Sequence, residues 1–180
     1  VNGRSNPEET GEPKIHKEFL GGIKATGVEK LKTFLHEGGT VMFFGDACNF
    51  AIANLDLPAS NPLKNVKRKD FFIPGSILEM QLDSSSPLTY GMPAKTAIYI
   101  NNNVTLNLHP YIAEIKETGY YASHDLLQSG WAVGEEKLHD KVALAEIPVG
   151  KGRAILYAFR PQHRGQMYGT FRLIFNGLYK

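Results

Sequence analysis

The chain has 180 residues, 20 Lys and Arg against 18 Asp and Glu for a net charge of +2, and 42% apolar side chains. That length suits one domain with a buried core, and the balanced charge provides no field for holding nucleic acid or an anionic membrane. Cys48 is the lone cysteine, which excludes an internal disulfide, and no apolar run reaches the ~20 residues that span a bilayer.

Residues 1–20 carry Gly3, Pro7, Gly11 and Pro13 and no sustained period, so they read as a loop or lead-in from a longer chain. Residues 21–180 read as one α/β domain. Val28, Leu31 and Leu35 recur at helical spacing, with Phe34 beside them. Thr26 is placed to cap this helix, with Glu29 as its capping-box partner, and Gly38–Gly39 to end it. "TVMFF" (residues 40–44) follows at once, apolar on both faces, which predicts a central strand covered on each side.

"ACNFAIANL" predicts a short helix ended by Pro58 and Pro62. The basic run "KNVKRKD" (64–70) has no interleaved aromatics and reads as a solvated loop. "FFIPGSILEMQL" reads as extended structure broken at Pro74–Gly75, "TAIYI" as a strand, and "VTLNLHPYIAEI" as partly strand. Lys116 to Lys137 is weakly patterned and predicts loops. "KVALAEIPVGKGRAILYAF" is the clearest hairpin, turning at "VGKGR". Phe171, Ile174, Phe175 and Leu178 fall at i, i+3, i+4 and i+7, the spacing of a closing helix's buried stripe.

Two places invite a functional reading. Cys48 lies just after a strand and at the start of a helix, where a nucleophile elbow would stand. A cysteine nucleophile needs a base and usually an orienting carboxylate. In "GDACNFA" the glycine lies three residues before the cysteine, and Phe50 stands where an elbow has glycine. None of His109, His124, His139 and His163 is followed two residues later by Glu. A small packed residue is the favoured reading, with a cysteine-dependent amidohydrolase as the alternative. The six histidines are scattered, with no His-Glu-x-x-His and no cysteine pair, so no metal site is expected. The second place is "FRPQHRGQMYGTF", where Arg160, Gln162, His163, Arg164 and Gln166 crowd between the last strand and last helix. Such positions bind ligands in open α/β sheets, or serve an interdomain contact. Arg160, nearer the strand, is expected to bind within the domain, and Arg164, beside Gly165, to face a partner.

"GGIKATGVEKLKTFLHEGGTVMFFGDA", "FFIPGSILEMQLD", "PLTYGMP", "SGWAVGEEKL" and "VGKGRAILYAFRPQHRGQMYGTFRLIFNGLY" occur in that order. Together they resemble the C-terminal, class I glutamine amidotransferase-like region of large bacterial zinc carboxypeptidases of the carboxypeptidase A class. The resemblance covers residues 20–180. It implies a flavodoxin-like three-layer sandwich, truncated at its N-terminus, that kept the architecture and lost the amidotransferase triad. It implies a non-catalytic accessory domain with no cofactor of its own, the zinc belonging to a separate peptidase domain. The implied partners are that peptidase domain, a peptide substrate, or a second copy in an oligomerisation role. The implied setting is periplasmic or secreted.

Overall fold

The computed structural model describes residues 16, 18, 20–110 and 114–179. The lead-in expected over residues 1–20 therefore lies almost wholly outside the described residues, as does part of "VTLNLHPYIAEI".

Helix α1 (Lys24–His36) buries Val28 and Leu35 and half-buries Leu31, as their spacing predicts. It starts earlier than expected. Gly27 N–H already donates to Ile23 C=O at 2.9 Å, so Thr26 sits inside the helix and caps nothing. Gly38 ends it at φ +115°, a left-handed conformation that glycine adopts without a Cβ clash. Gly39 N–H then donates to Phe34 C=O at 2.8 Å, and the missing Cβ of Gly39 makes room for the Phe34 ring.

The main sheet runs in the order β1 (Thr40–Phe44), β9 (Gly152–Tyr157), β8 (Val142–Val149), β6 (Lys116–Tyr121), β3 (Ser76–Leu82) and β4 (Lys95–Ile100), with β7 (Leu127–Ser129) also pairing with β3. β1 and β9 are parallel, with Phe44 opposite Tyr157; the other pairs are antiparallel. β2 (Ala59–Ser60) and β5 (Asn107–Leu108) form a separate ladder. α2 (Ala47–Asn54) follows β1, and α3 (Tyr168–Leu178) closes the chain. Helices cover both faces of the β1–β9 pair. Phe43 turns its ring to Phe50 of α2, whereas Met42, Ile155 and Tyr157 meet Gly177 of α3.

Three expectations are corrected. "TVMFF" is not central. Among the described residues β1 pairs only with β9, and of its five side chains just Phe43 is fully buried. The centre is β8, buried on both faces from Val142 to Ile147. The segment from Lys116 to Lys137 is only partly loop, because it also supplies β6 and β7. Register shifts around Gly119 break the alternation that marks a strand, and buried Tyr121 donates its hydroxyl to Val104 C=O at 3.0 Å. The stripe on α3 is the third correction. The helix forms, but its inner face is Thr170, Leu173 and Gly177, while Phe175 is 58% exposed and Leu178 67%. Gly177 lets α3 approach the Met42 and Tyr157 side chains closely, and the Tyr157 hydroxyl donates to Leu173 C=O at 2.8 Å. These contacts set the helix rotation and turn the bulkier arc outward.

Candidate functional site

Cys48 sits in the first turn of α2, after the tight connection Phe44–Gly45–Asp46. Gly45 takes φ +55° and its N–H donates to Tyr157 C=O (2.8 Å) and Phe159 C=O (3.0 Å), pinning the end of β1 to β9. That turn drives the Cys48 side chain inward. The residue is 0% exposed, and its thiol donates to Tyr157 C=O at 3.2 Å and Phe43 C=O at 3.5 Å. Burial pushes its pKa up to about 12, with the Asp46 carboxylate adding to the shift. A thiol so placed is neutral at physiological pH, and the thiolate is the nucleophilic form.

The polar segment does not act as one cluster. Arg160 reaches back to Asp46, with Nη2 3.3 Å from Oδ2, so it has the partner within the domain that its position suggests. Gln162 lines the same groove. His163 leaves it and stacks on Tyr99 of β4, the rings 4.0 Å apart and 15° from parallel. Its pKa is lowered by burial first, then by the guanidinium groups of Arg164 and Arg160. Arg164 is exposed and holds φ +49°. Gln166 lies in a different groove, with Met92, Pro93, Met167 and Tyr168.

Arg160 and Gln162 therefore join Met42, Phe44, Asp46 and Ala47 around a groove of about 440 Å³. It lies beyond the carboxyl ends of the parallel β1–β9 pair, where α/β sheets hold their ligands. Asn102, following β4, packs beneath the groove against the Gly45 turn and does not line it. A Cβ on Gly45 would lie 2.8 Å from Asn102 Nδ2 and 3.2 Å from Arg160 Nε. Asn102 is only 6% exposed, yet neither of its amide atoms has a hydrogen-bond partner. Sequence reasoning passed over Asp46, which reads as part of a turn, and Asn102, which sits in a run of three asparagines. Among the described residues, no three His, Cys, Asp or Glu side chains gather as a metal set, and no helix is long and apolar enough to cross a membrane.

No protein-family model matches the chain. No curated protein sequence matches it either. Solved structures do share its fold. A Thermoplasma acidophilum protein described as a GMP synthase component superposes with a TM-score of 0.50 at 10% identity, over 84% of this chain and 62% of that one. A cytoplasmic protein of Salmonella typhimurium LT2 matches with a TM-score of 0.50 at 14% identity, over 89% of this chain and 62% of that one. The chain thus spans less than two thirds of the length of each. At such identities the likeness shows the fold alone: a mixed α/β domain of the flavodoxin-like, glutamine amidotransferase-like kind.

Proposed function

We propose that this is a non-catalytic accessory domain of a bacterial zinc carboxypeptidase, which supports or orients the peptidase domain or holds part of its peptide substrate. The observation that carries the first half is the sealed Cys48 thiol, 0% exposed and bonded to two backbone carbonyls. An elbow whose only sulfur points into the core has the architecture of a hydrolase without its reagent. The carboxypeptidase context rests on the resemblance of residues 20–180, and the periplasmic or secreted setting goes with it. The zinc belongs to the peptidase domain in this reading.

The outer arc of α3 supports the docking role. Tyr168, Phe175, Leu178 and Tyr179 are all exposed, together with Tyr90. A run of large apolar side chains on one helix face, unused by the core, is the mark of an interaction surface. The test pairs this chain with the separately expressed zinc carboxypeptidase domain. Phe175→Asp is expected to weaken the association at least about tenfold while leaving the melting temperature of this chain unchanged. Undiminished association sinks the α3 half of the reading. Light scattering on the chain alone distinguishes the oligomerisation role, which predicts a dimer or larger species that Phe175→Asp dissolves.

A further inference from the structure

The open edge of β4 has a chemistry that neither the sealed thiol nor the outer arc of α3 explains. Among the described residues β4 pairs only with β3. Leu82 N–H donates to Ala94 C=O at 2.8 Å, and the same antiparallel register continues with Thr96 opposite Met80 and Ile98 opposite Leu78. Alternate residues of such a strand turn their backbone groups to opposite sides, so Lys95, Ala97 and Tyr99 direct theirs away from β3. None of those N–H and C=O groups meets a partner among the described residues. Lys95 and Ala97 are also exposed. A row of this kind is a template for one more strand. Beside it runs a groove of about 420 Å³, between β4 and the start of α3, walled by Met92, Pro93, Met167 and Tyr168. Methionines adapt to apolar side chains of varied shape, and nothing lies within 4 Å of a Cβ placed on Gly169, so the groove is open there. The rim is basic. Arg172 is exposed one turn beyond Tyr168, and its guanidinium lies over Gly91, beside Met92. Arg164 is exposed after His163, whose ring stacks on Tyr99. Glu79 serves Lys95 at 3.0 Å, and no carboxylate pairs with either arginine among the described residues.

We propose that the β4 edge binds an extended acidic peptide segment as an added strand, with an apolar side chain of that segment in the groove. Hydrogen bonds to the backbone of Lys95, Ala97 and Tyr99 hold the segment whatever its sequence, and the groove beside them selects the side chain. Met92 and Met167 receive an apolar residue. Arg164 and Arg172 favour acidic neighbours over basic ones, because opposite charges at a rim steer the partner and like charges repel it. Successive side chains of a strand point to opposite faces, so a segment in which acidic and apolar residues take turns meets both demands at once. The site shares Tyr168 with the outer arc of α3 but not Phe175, Leu178 or Tyr179. It stands independently of what docks on that arc.

The test is the fluorescence anisotropy of a labelled heptapeptide amide, Glu-Val-Glu-Leu-Glu-Val-Glu, titrated with the whole chain. The peptide is expected to bind, more weakly as salt rises. Two further peptides carry N-methyl groups on alternate residues, one on the Glu set and one on the Val and Leu set. Only one phase of a paired strand turns its N–H groups to β4. One methylated peptide is therefore expected to bind at least about tenfold more weakly, and the other within about threefold of the parent. Replacing the central Leu by Ser is expected to weaken binding about tenfold. Exchanging every Glu for Lys, or combining Arg164→Gln with Arg172→Gln, is expected to weaken it as well, whereas Phe175→Asp is expected to leave it unchanged. No binding at millimolar peptide, or equal effects of methylation in the two phases, overturns the added strand. A Ser peptide that binds as tightly overturns the role of the groove, and a Lys peptide that binds as tightly overturns the acidic partner. Binding lost with Phe175→Asp puts the peptide on the α3 arc and overturns the β4 site.

Discussion

At the scale of single residues, Cys48 ties stability to pH. The folded chain holds the thiol proton up to about pH 12, against an ordinary value of 9.0. Below 9 both states are protonated and the stabilising effect is complete. As pH rises from 9 toward 12 the unfolded thiol ionises and the folded one does not, so stability falls, by up to ~1.4 kcal/mol per pH unit. Tyr120, raised to about 12 by partial burial and by Glu117, and buried Tyr121 and Tyr157, raised further still, add their effects as pH approaches and passes their ordinary value of 10.0. Denaturant titrations at pH 8 and pH 9 therefore read mainly the thiol, and Cys48→Ala is expected to flatten the slope between them. At neutral pH the same variant is expected to cost about 1 kcal/mol, the effect of a small cavity. Arg153 makes a second residue-scale prediction. It pairs with Glu146, 5% exposed on central β8, and donates from Nη2 to the carbonyls of Gly177 (3.1 Å) and Tyr179 (2.8 Å), tying the end of α3 to the hairpin. Arg153→Ala strands a buried carboxylate and is expected to destabilise by roughly 3–5 kcal/mol, whereas Arg153→Met with Glu146→Leu leaves no buried charge and is expected to cost only about 1–2 kcal/mol, the loss of the two carbonyl hydrogen bonds. Thermal melts of the single and double variants check this. In the sequence Arg153 reads as a turn residue of "VGKGR". Nothing in the sequence places it beside a glutamate, because the pairing is set by the hairpin register Glu146–Ile155 and Pro148–Arg153.

At the scale of elements, α3 carries two overlapping arcs. Phe171, Ile174, Phe175 and Leu178 form the larger one, and hydrophobic periodicity selects it for the core. The structure selects Thr170, Leu173 and Gly177, because two small residues permit the close approach that bulky ones forbid. Leu173→Ala is accordingly expected to cost about 2–5 kcal/mol, and Phe175→Ala to stay within about 0.5 kcal/mol of the parent. A reversed order in urea titrations contradicts the observed rotation. The same limit explains the exchange of centre between β1 and β8. Both runs are apolar on both faces, and only the strand order decides which is flanked by partners. By contrast the β8–β9 hairpin, α1 and α2 were legible, since local spacing and turn residues determine them without long-range information. β6 was not, since bulges at Gly119 erase its alternation. Of the site, Arg160 and Gln162 were legible from their crowding at a strand end. Asp46 and Asn102 were not, because they join Arg160 only through contacts between distant segments.

At the scale of the whole molecule, the chain has an amidotransferase-like α/β fold, and the thiol in the turn after β1 is neutral and faces the core. Fold and activity are separable, and the site decides. Here the turn at Gly45 aims Cys48 beneath the β1–β9 edge, and the groove above it is left to Arg160, Asp46 and Gln162. The central claim is that this elbow does no chemistry. The most direct measurement is the rate at which a thiol reagent labels Cys48 in the native chain from pH 6 to 9, with ammonia release from glutamine followed in the same samples. The account predicts labelling that waits for unfolding, at every pH in that range, and no ammonia above the rate of the Cys48→Ala variant. Rapid stoichiometric labelling of the folded chain with a thiolate titrating below pH 8, accompanied by glutamine hydrolysis that Cys48→Ala abolishes, would contradict it.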